Sequence, residues 1–136
     1  MNERTHHLST AAFWELLGIE LLEADKGNSL IKVTIEAKHL QIYGRVHGGV
    51  LMTLIDNAVG SALHSLLDEG QASATTDLHS QFLRSLSAGT LYAKGNIVKK
   101  GRNMAFGRSE VFDDNEKLIA MGSASFAILD RSSWQR

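Results

Sequence analysis

Asp56 stands inside the most apolar stretch of the chain, among Leu51, Leu54, Ile55, Ala58 and Val59. A carboxylate in such company must be paired, hydrogen-bonded or shifted in pKa, because an unpartnered buried charge is heavily penalised. An Asp that merely bonds neighbouring backbone meets that demand too, so the residue alone decides nothing. The run Gly44-Arg45-Val46-His47-Gly48-Gly49 just before it adds a second group. Two glycines at a helix start leave backbone N–H groups free and unshielded, a cradle for an anion or a developing oxyanion. A carboxylate able to act as acid, base or nucleophile, with an oxyanion cradle beside it, is the equipment of acyl transfer.

Asp56 lies eight residues beyond Gly48, so a helix joining them separates the two by roughly 12 Å along its axis. Groups that serve one reacting carbonyl must both approach it to about 3 Å. One copy of the helix therefore does not bring both to the same carbonyl. Two antiparallel copies about a two-fold axis do, Gly48 of one chain facing Asp56 of the other, and such isologous dimers are the commonest oligomers. The spacing predicts a homodimer with two composite sites.

The helix that carries these groups reads from 50 to 67. Its apolar residues fall on every side, Met52 and Leu67 included, which marks a buried element and not a surface helix with one apolar stripe. Earlier, Ser9 or Thr10 is placed to cap a short helix through Phe13, Trp14 and Leu17 that stops at Gly18. Residues 19–24 and 29–36 read as strands about a Lys26-Gly27-Asn28 turn, and residues 37–46 form the loop that delivers the chain to His47. Alternating runs at 73–83, 90–99, 104–113 and 117–129 follow the helix. Small residues along the last run, such as Gly122 and Ala124, let a helix lie close to the sheet. Six strands with one buried helix after the second make an α+β architecture, a curved antiparallel sheet wrapped round that helix.

At 136 residues, 43% of them apolar, the chain has material for one globular domain, with only 1–8 and 132–136 expected to be flexible. A net charge of −1 with interspersed signs does not indicate a nucleic-acid partner. The lack of cysteine excludes disulfides and thiolate sites and fits the cytoplasm. The N-terminus has no apolar signal-peptide core, and no long charge-free run offers a membrane span. Neither Gly-x-Ser-x-Gly nor Gly-Lys-Ser/Thr occurs, which removes the nucleophile elbow and the P-loop. His39 and His47 lack a third ligand at metal spacing, so no metal is expected. Asn57 points some 100° away from Asp56 round the helix and reads as structural, as do His64 and His79, unless these lie at the surface.

His47-Gly48-Gly49-Val50, the triplet Leu54-Ile55-Asp56, Gly44 three residues before the histidine, Asp77, Phe82-Leu83-Arg84 and Lys100-Gly101-Arg102 together resemble the hotdog-fold thioesterases. Within them the similarity is to the PaaI-type acyl-CoA thioesterases of the phenylacetate pathway, from about residue 13 to residue 129. The resemblance implies the hotdog fold and hydrolysis of an acyl- or aryl-CoA to free acid and coenzyme A. It also implies a homodimer or a homotetramer built as a dimer of dimers, and no cofactor, coenzyme A being part of the substrate. Asp56 becomes the catalytic carboxylate, attacking the thioester carbonyl or activating a water. Gly48 becomes the oxyanion donor, with Gly49 beside it against the substrate. His47 is expected to orient loop backbone or the Gln41 amide, and Thr75 to help place the water, unless it is an ordinary strand threonine. Gln41 stands where the family usually has Asn, so its amide reaches from one methylene further away. Arg84, Lys99, Lys100 and Arg102 are expected to cluster at strand ends and meet the phosphates of coenzyme A, a solvated charged hairpin being the other reading of the last three. A non-catalytic acyl-CoA binding module and a hotdog dehydratase are the rival functions.

Overall fold

The computed structural model describes residues 7–134. Its strands are β1 (Glu20–Asp25), β2 (Asn28–Thr34), β3 (Gln71–Phe82), β4 (Thr90–Lys100), β5 (Met104–Phe112) and β6 (Leu118–Asp130). They form one sheet in the order β1-β2-β4-β5-β6-β3, every neighbour antiparallel, which leaves β1 and β3 as edges. The helices are α1 (Ala12–Leu17), α2 (Gly48–His64) and a last turn, α3 (Arg131–Trp134). Between β1 and β2, Lys26 and Gly27 both have positive φ, 51° and 81°, the geometry that lets a two-residue turn follow the twist of its strands.

A row of small side chains crosses all six strands under α2. Ala24 pairs with Ser29, Ser29 with Gly95, Gly95 with Ser109, Ser109 with Gly122 and Gly122 with Ser80. The helix lies in the trough this row makes: Ser29 Oγ donates to the Ala58 carbonyl at 2.5 Å, and a Cβ on Gly95 would collide with that same carbonyl. The hydroxyls of Ser80 and Ser109 find no partner among the described residues, so the row uses their size and not their polarity. Side chains pack on both sides of it. Leu51, Leu54 and Ile55 meet Ile31, Val33, Leu91 and Val111, while Val59, Leu63 and Leu67 meet Ala105, Phe126 and Ile128.

The architecture read from the sequence is the one found, with differences of detail. The first helix has Ala11, not Ser9 or Thr10, at its N-cap; Thr10 Oγ1 instead donates to the His7 carbonyl at 2.7 Å within a 3-10 turn, His7–Thr10. Gly18 does stop that helix, at φ 76°. The central helix starts two residues early, at Gly48, and ends at His64, before the expected limit of 67. Nor is it buried all round. Gly49, Thr53, Asp56, Asn57, Gly60 and His64 form a half-buried stripe, and Met52 is 41% exposed, because α1 and β3 flank the helix without closing over it. Of the termini expected to be flexible, residues 1–6, 135 and 136 lie outside the described residues, and Arg131–Trp134 is helical. Among the described residues no helix is long and apolar enough to cross a membrane.

The trough gives a direct test of the packing. Gly95→Ala is expected to lower the stability by about 1–3 kcal/mol or more, since the added methyl meets backbone that cannot turn aside. Gly70→Ala, with nothing within 4 Å of the added methyl, is expected to stay within about 0.5 kcal/mol of the parent. Urea midpoints of the two variants make the comparison.

Candidate active site

Two histidines build the start of α2. His39 is fully buried, and its Nδ1 accepts the Glu36 N–H at 2.9 Å. That leaves the ring proton on Nε2, which donates to the Leu17 carbonyl at 2.7 Å. The His39 carbonyl then accepts the His47 N–H at 2.8 Å. His47 is the N-cap of α2, its Nδ1 accepting the Gly49 N–H at 2.8 Å, the bond by which caps satisfy a helix's first donors. The expected partner of His47 is therefore backbone, not the Gln41 amide. A Cβ at position 49 would lie 2.9 Å from that Nδ1, and one at position 48 would lie 3.0 Å from the Phe82 ring, so both glycines make room. The Gly48 N–H meets no acceptor among the described residues. It is the free donor the sequence pointed to.

Gln41 shapes the loop ahead of this start. Its Oε1 accepts the N–H groups of Tyr43 and Arg45 at 2.6 and 3.2 Å, Gly44 turns the chain at φ 79°, and Leu40 bridges Val46. Its oxygen is thus committed to the loop, while Nε2 meets no acceptor among the described residues.

Asp56 lies at the middle of the half-buried stripe of α2, and its Oδ1 accepts the Thr75 hydroxyl at 2.7 Å. Thr75 is aimed there by a bulge. The β3–β6 register slips between Thr75 and Asp77, and Thr76, the extra residue, bonds outward to Ser125. Bulges commonly re-aim a side chain beside a site. Burial pushes the Asp56 carboxyl above its ordinary 3.8, and the Thr75 bond pulls it part of the way back. Asn57, its neighbour, faces α1, accepting Trp14 Nε1 at 3.1 Å and donating to the Thr53 carbonyl at 2.8 Å. A groove of about 260 Å³ runs between α1 and the start of α2, walled by Phe13, Leu17, Leu40 and Val50 with His47 and Gly49 at its edge.

The cationic residues are not one cluster within a chain. Arg84 follows β3, at the end of the sheet where Phe82 meets Gly48. Lys99 and Lys100 end β4, and Arg102 sits in the turn to β5, at the opposite end beside β6, where Ile128 bonds the Asn103 carbonyl. Antiparallel strands of this length carry the two groups to opposite ends of the sheet. All four are exposed. His64 is half-buried, and His79 is exposed on β3. Among the described residues no group of three or more His, Asp or Glu side chains is placed to hold a metal. Sequence reasoning missed the structural part of His39 and the Thr76 bulge; the first had its signal in a histidine three residues after Glu36, the second had none.

A sheet curled about one helix, with a carboxylate on that helix and a bare N–H at its start, defines a hotdog hydrolase. Residues 43–120, more than half of the chain, match the model of the thioesterase superfamily; the chain belongs to that superfamily and is a thioester hydrolase. Its relatives include the acyl-coenzyme A thioesterase PaaI of Escherichia coli, 29% identical over 106 residues, which are 77% of this chain and 74% of that protein. The 1,4-dihydroxy-2-naphthoyl-CoA hydrolase of Listeria monocytogenes is 23% identical over 84% of this chain and 93% of its own length. Among solved structures, the thioesterase HI1161 of Haemophilus influenzae shares the fold with a TM-score of 0.90 at 20% identity, over 100% of this chain and 95% of that one.

The raised pKa of Asp56 fixes a sign. The folded state holds this proton more tightly than the unfolded state, so stability falls as pH rises from 3.8 through the folded-state value and stays lower above it. Asp56→Asn removes that loss. Thermal melts are expected to show the variant more stable than the parent at pH 7, with the gain shrinking as the pH is lowered towards 4.

Proposed function

We propose that this thioesterase hydrolyses acyl- or aryl-CoA esters at two sites shared across a homodimer, in the cytoplasm. The observation that carries this is the division of labour along α2: the Asp56–Thr75 pair and the free Gly48 N–H belong to one helix yet stand roughly 12 Å apart along it. A second copy removes the gap. β3 is a 12-residue edge strand, and antiparallel pairing of two such edges would lay the two α2 stripes side by side in opposite directions. The same operation brings Arg84 of one chain to the end of the sheet that carries Lys99, Lys100 and Arg102 of the other, where all four can serve the phosphates of coenzyme A.

In this scheme the Gly48 N–H of one protomer donates to the thioester carbonyl oxygen, which carries negative charge once the carbon becomes tetrahedral. Asp56 of the other protomer, held at Oδ1 by Thr75, presents Oδ2 to a water, whose proton it takes as the hydroxide adds to the carbonyl carbon, or attacks that carbon itself. Collapse of the intermediate breaks the carbon–sulfur bond and releases the coenzyme A thiolate, which takes the proton that Asp56 gained from the water; where Asp56 attacks directly, collapse leaves a mixed anhydride on Asp56, which a water hydrolyses to free acid and the regenerated carboxylate, the thiolate taking the proton set free. Gln41 offers the substrate its amide N–H, its oxygen being held by the loop. His47 and Gly49 keep the Gly48 N–H pointed outward. PaaI and the naphthoyl-CoA hydrolase, both named as acting on coenzyme A esters, support this substrate class. No metal or redox cofactor enters the scheme.

Thiol release from a panel of acyl- and aryl-CoA esters tests it. Asp56→Ala is expected to lower kcat by about 10²–10⁴-fold while the protein still sediments as a dimer; undiminished turnover removes Asp56 from the chemistry, and tight binding without turnover in the parent makes the protein a binding module. Activity is expected to rise with pH as Asp56 ionises. Thr75→Val, which strips away the bond that favours the carboxylate, should move that rise to higher pH.

A further inference from the structure

β5 alternates along its whole length. Ala105, Gly107, Ser109 and Val111 are buried on the side of α2, where Gly107 lies against Val59. Phe106, Arg108 and Glu110 stand exposed on the outer face of the sheet, with Phe112 half-buried beside them. This outer row is its own complement when reversed about Ser109: the phenylalanines lie three residues to either side, and the cation and the anion one residue to either side.

The two charges are left unused within the chain. Among the described residues neither Arg108 nor Glu110 enters an ion pair. Lys94 stands directly across from Glu110 on β4, yet its ammonium lies over the Phe112 ring, 5.4 Å from the centroid. Neighbouring strands widen the surface, because residues paired across a ladder share a face: Tyr92 pairs with Phe112, Leu30 with Lys94 and Met121 with Glu110. Phe106 is 47% exposed and Met121 39%. Beside Phe112 opens a hollow of about 540 Å³, walled by Leu30, Tyr92 and Lys94 with the 113–116 turn at its end. Apolar side chains gathered on one face, with a hollow among them, mark an interaction surface.

We propose that a second copy of this chain docks on the outer face, its β5 running antiparallel over the first about a two-fold axis above Ser109. Arg108 of each copy then faces Glu110 of the other, and Phe106 of each reaches Phe112 of the other and the hollow beside it. The levels follow from the regular rise of one strand, about 3.4 Å per residue, so that matching one pair matches both. The reverse orientation fails, since parallel strands would set Arg108 against Arg108 and Glu110 against Glu110. On β4 the same axis puts Lys94 level with Asn96 of the other copy, and no like charges oppose there. Sheets packed in this way stand about 10 Å apart with strands within about 30° of one another. The contact is isologous and therefore closes. It leaves the β3 edge free and does not depend on how the catalytic groups are shared.

Sedimentation velocity with charge exchange tests the proposal. Arg108→Glu and Glu110→Arg are each expected to halve the sedimenting mass of the parent, and Arg108→Glu/Glu110→Arg to restore it. Both side chains are exposed, so all three variants are expected to keep the parent's urea midpoint. The single variants also report on the other contact, sedimenting as dimers where β3 edges pair and as monomers where they do not. Single variants that keep the parent's mass overturn the proposal and place the second copy elsewhere, such as on the open stripe of α2. An exchange that stays as small as the single variants overturns it too, as does a parent no larger than they are. Phe106→Ala alters no charge. It is expected to raise the dissociation constant of this contact by about a hundredfold, roughly tenfold for each of the two phenylalanines, and an unchanged constant likewise refutes the docking.

Discussion

The backbone of α2 touches the sheet. Ser29 reaches a carbonyl in the middle of the helix, and the glycine beside it in the row leaves no room for even a methyl group. That contact fixes the height of the helix above the strands, and the rest of the site follows from the height. Asp56 is two residues from the touching carbonyl, so it comes within a single hydrogen bond of Thr75 on the edge strand. A helix seated on leucines or valines in place of this row would ride higher, as interaxial distances depend on the side chains at the contact. The carboxylate would then face water or hydrocarbon with no hydroxyl in reach.

Two opposed influences meet at that carboxylate. Burial favours its neutral form, and the Thr75 hydroxyl favours the charged one. Full burial without the hydroxyl would give an acid that holds its proton, while full exposure would give a carboxylate swamped by solvent. The bulge at Thr76 is the backbone's share in this arrangement, because an unbroken β3–β6 ladder gives no local reason for Thr75 to be re-aimed. The Asp56–Thr75 pair thus depends partly on an irregularity of the sheet and partly on the regularity of the helix.

Much of this was legible before any coordinates. Alternation gave the six strands, and the Gly48–Asp56 spacing gave the separation of donor and carboxylate, since both depend on local periods that a sequence displays openly. What escaped depends on which surfaces meet. The apolar residues round α2 predict burial on all sides, but periodicity does not say whether a face is covered by the chain's own sheet or left open, and the stripe from Gly49 to His64 is open. Arg84 and Lys99 to Arg102 read alike as cations at strand ends, yet strand order and direction put them at opposite ends of the sheet. The Thr76 bulge leaves no trace in a run of two threonines. In the sequence Gln41 offers the chemistry of its amide; in the structure its oxygen is spent on the turn that follows it.

His39 joins parts of the molecule that lie far apart in sequence. Its ring bridges the last carbonyl of α1 to the Glu36 backbone, and its own carbonyl holds the residue that caps α2. Leu17, His39 and His47 therefore form one mechanical linkage from the amino-terminal helix to the glycines that open α2. Whatever displaces the first helix, whether a fused tag, a truncation or a bulky neighbour, pulls on the same string of bonds that holds the Gly48 N–H outward.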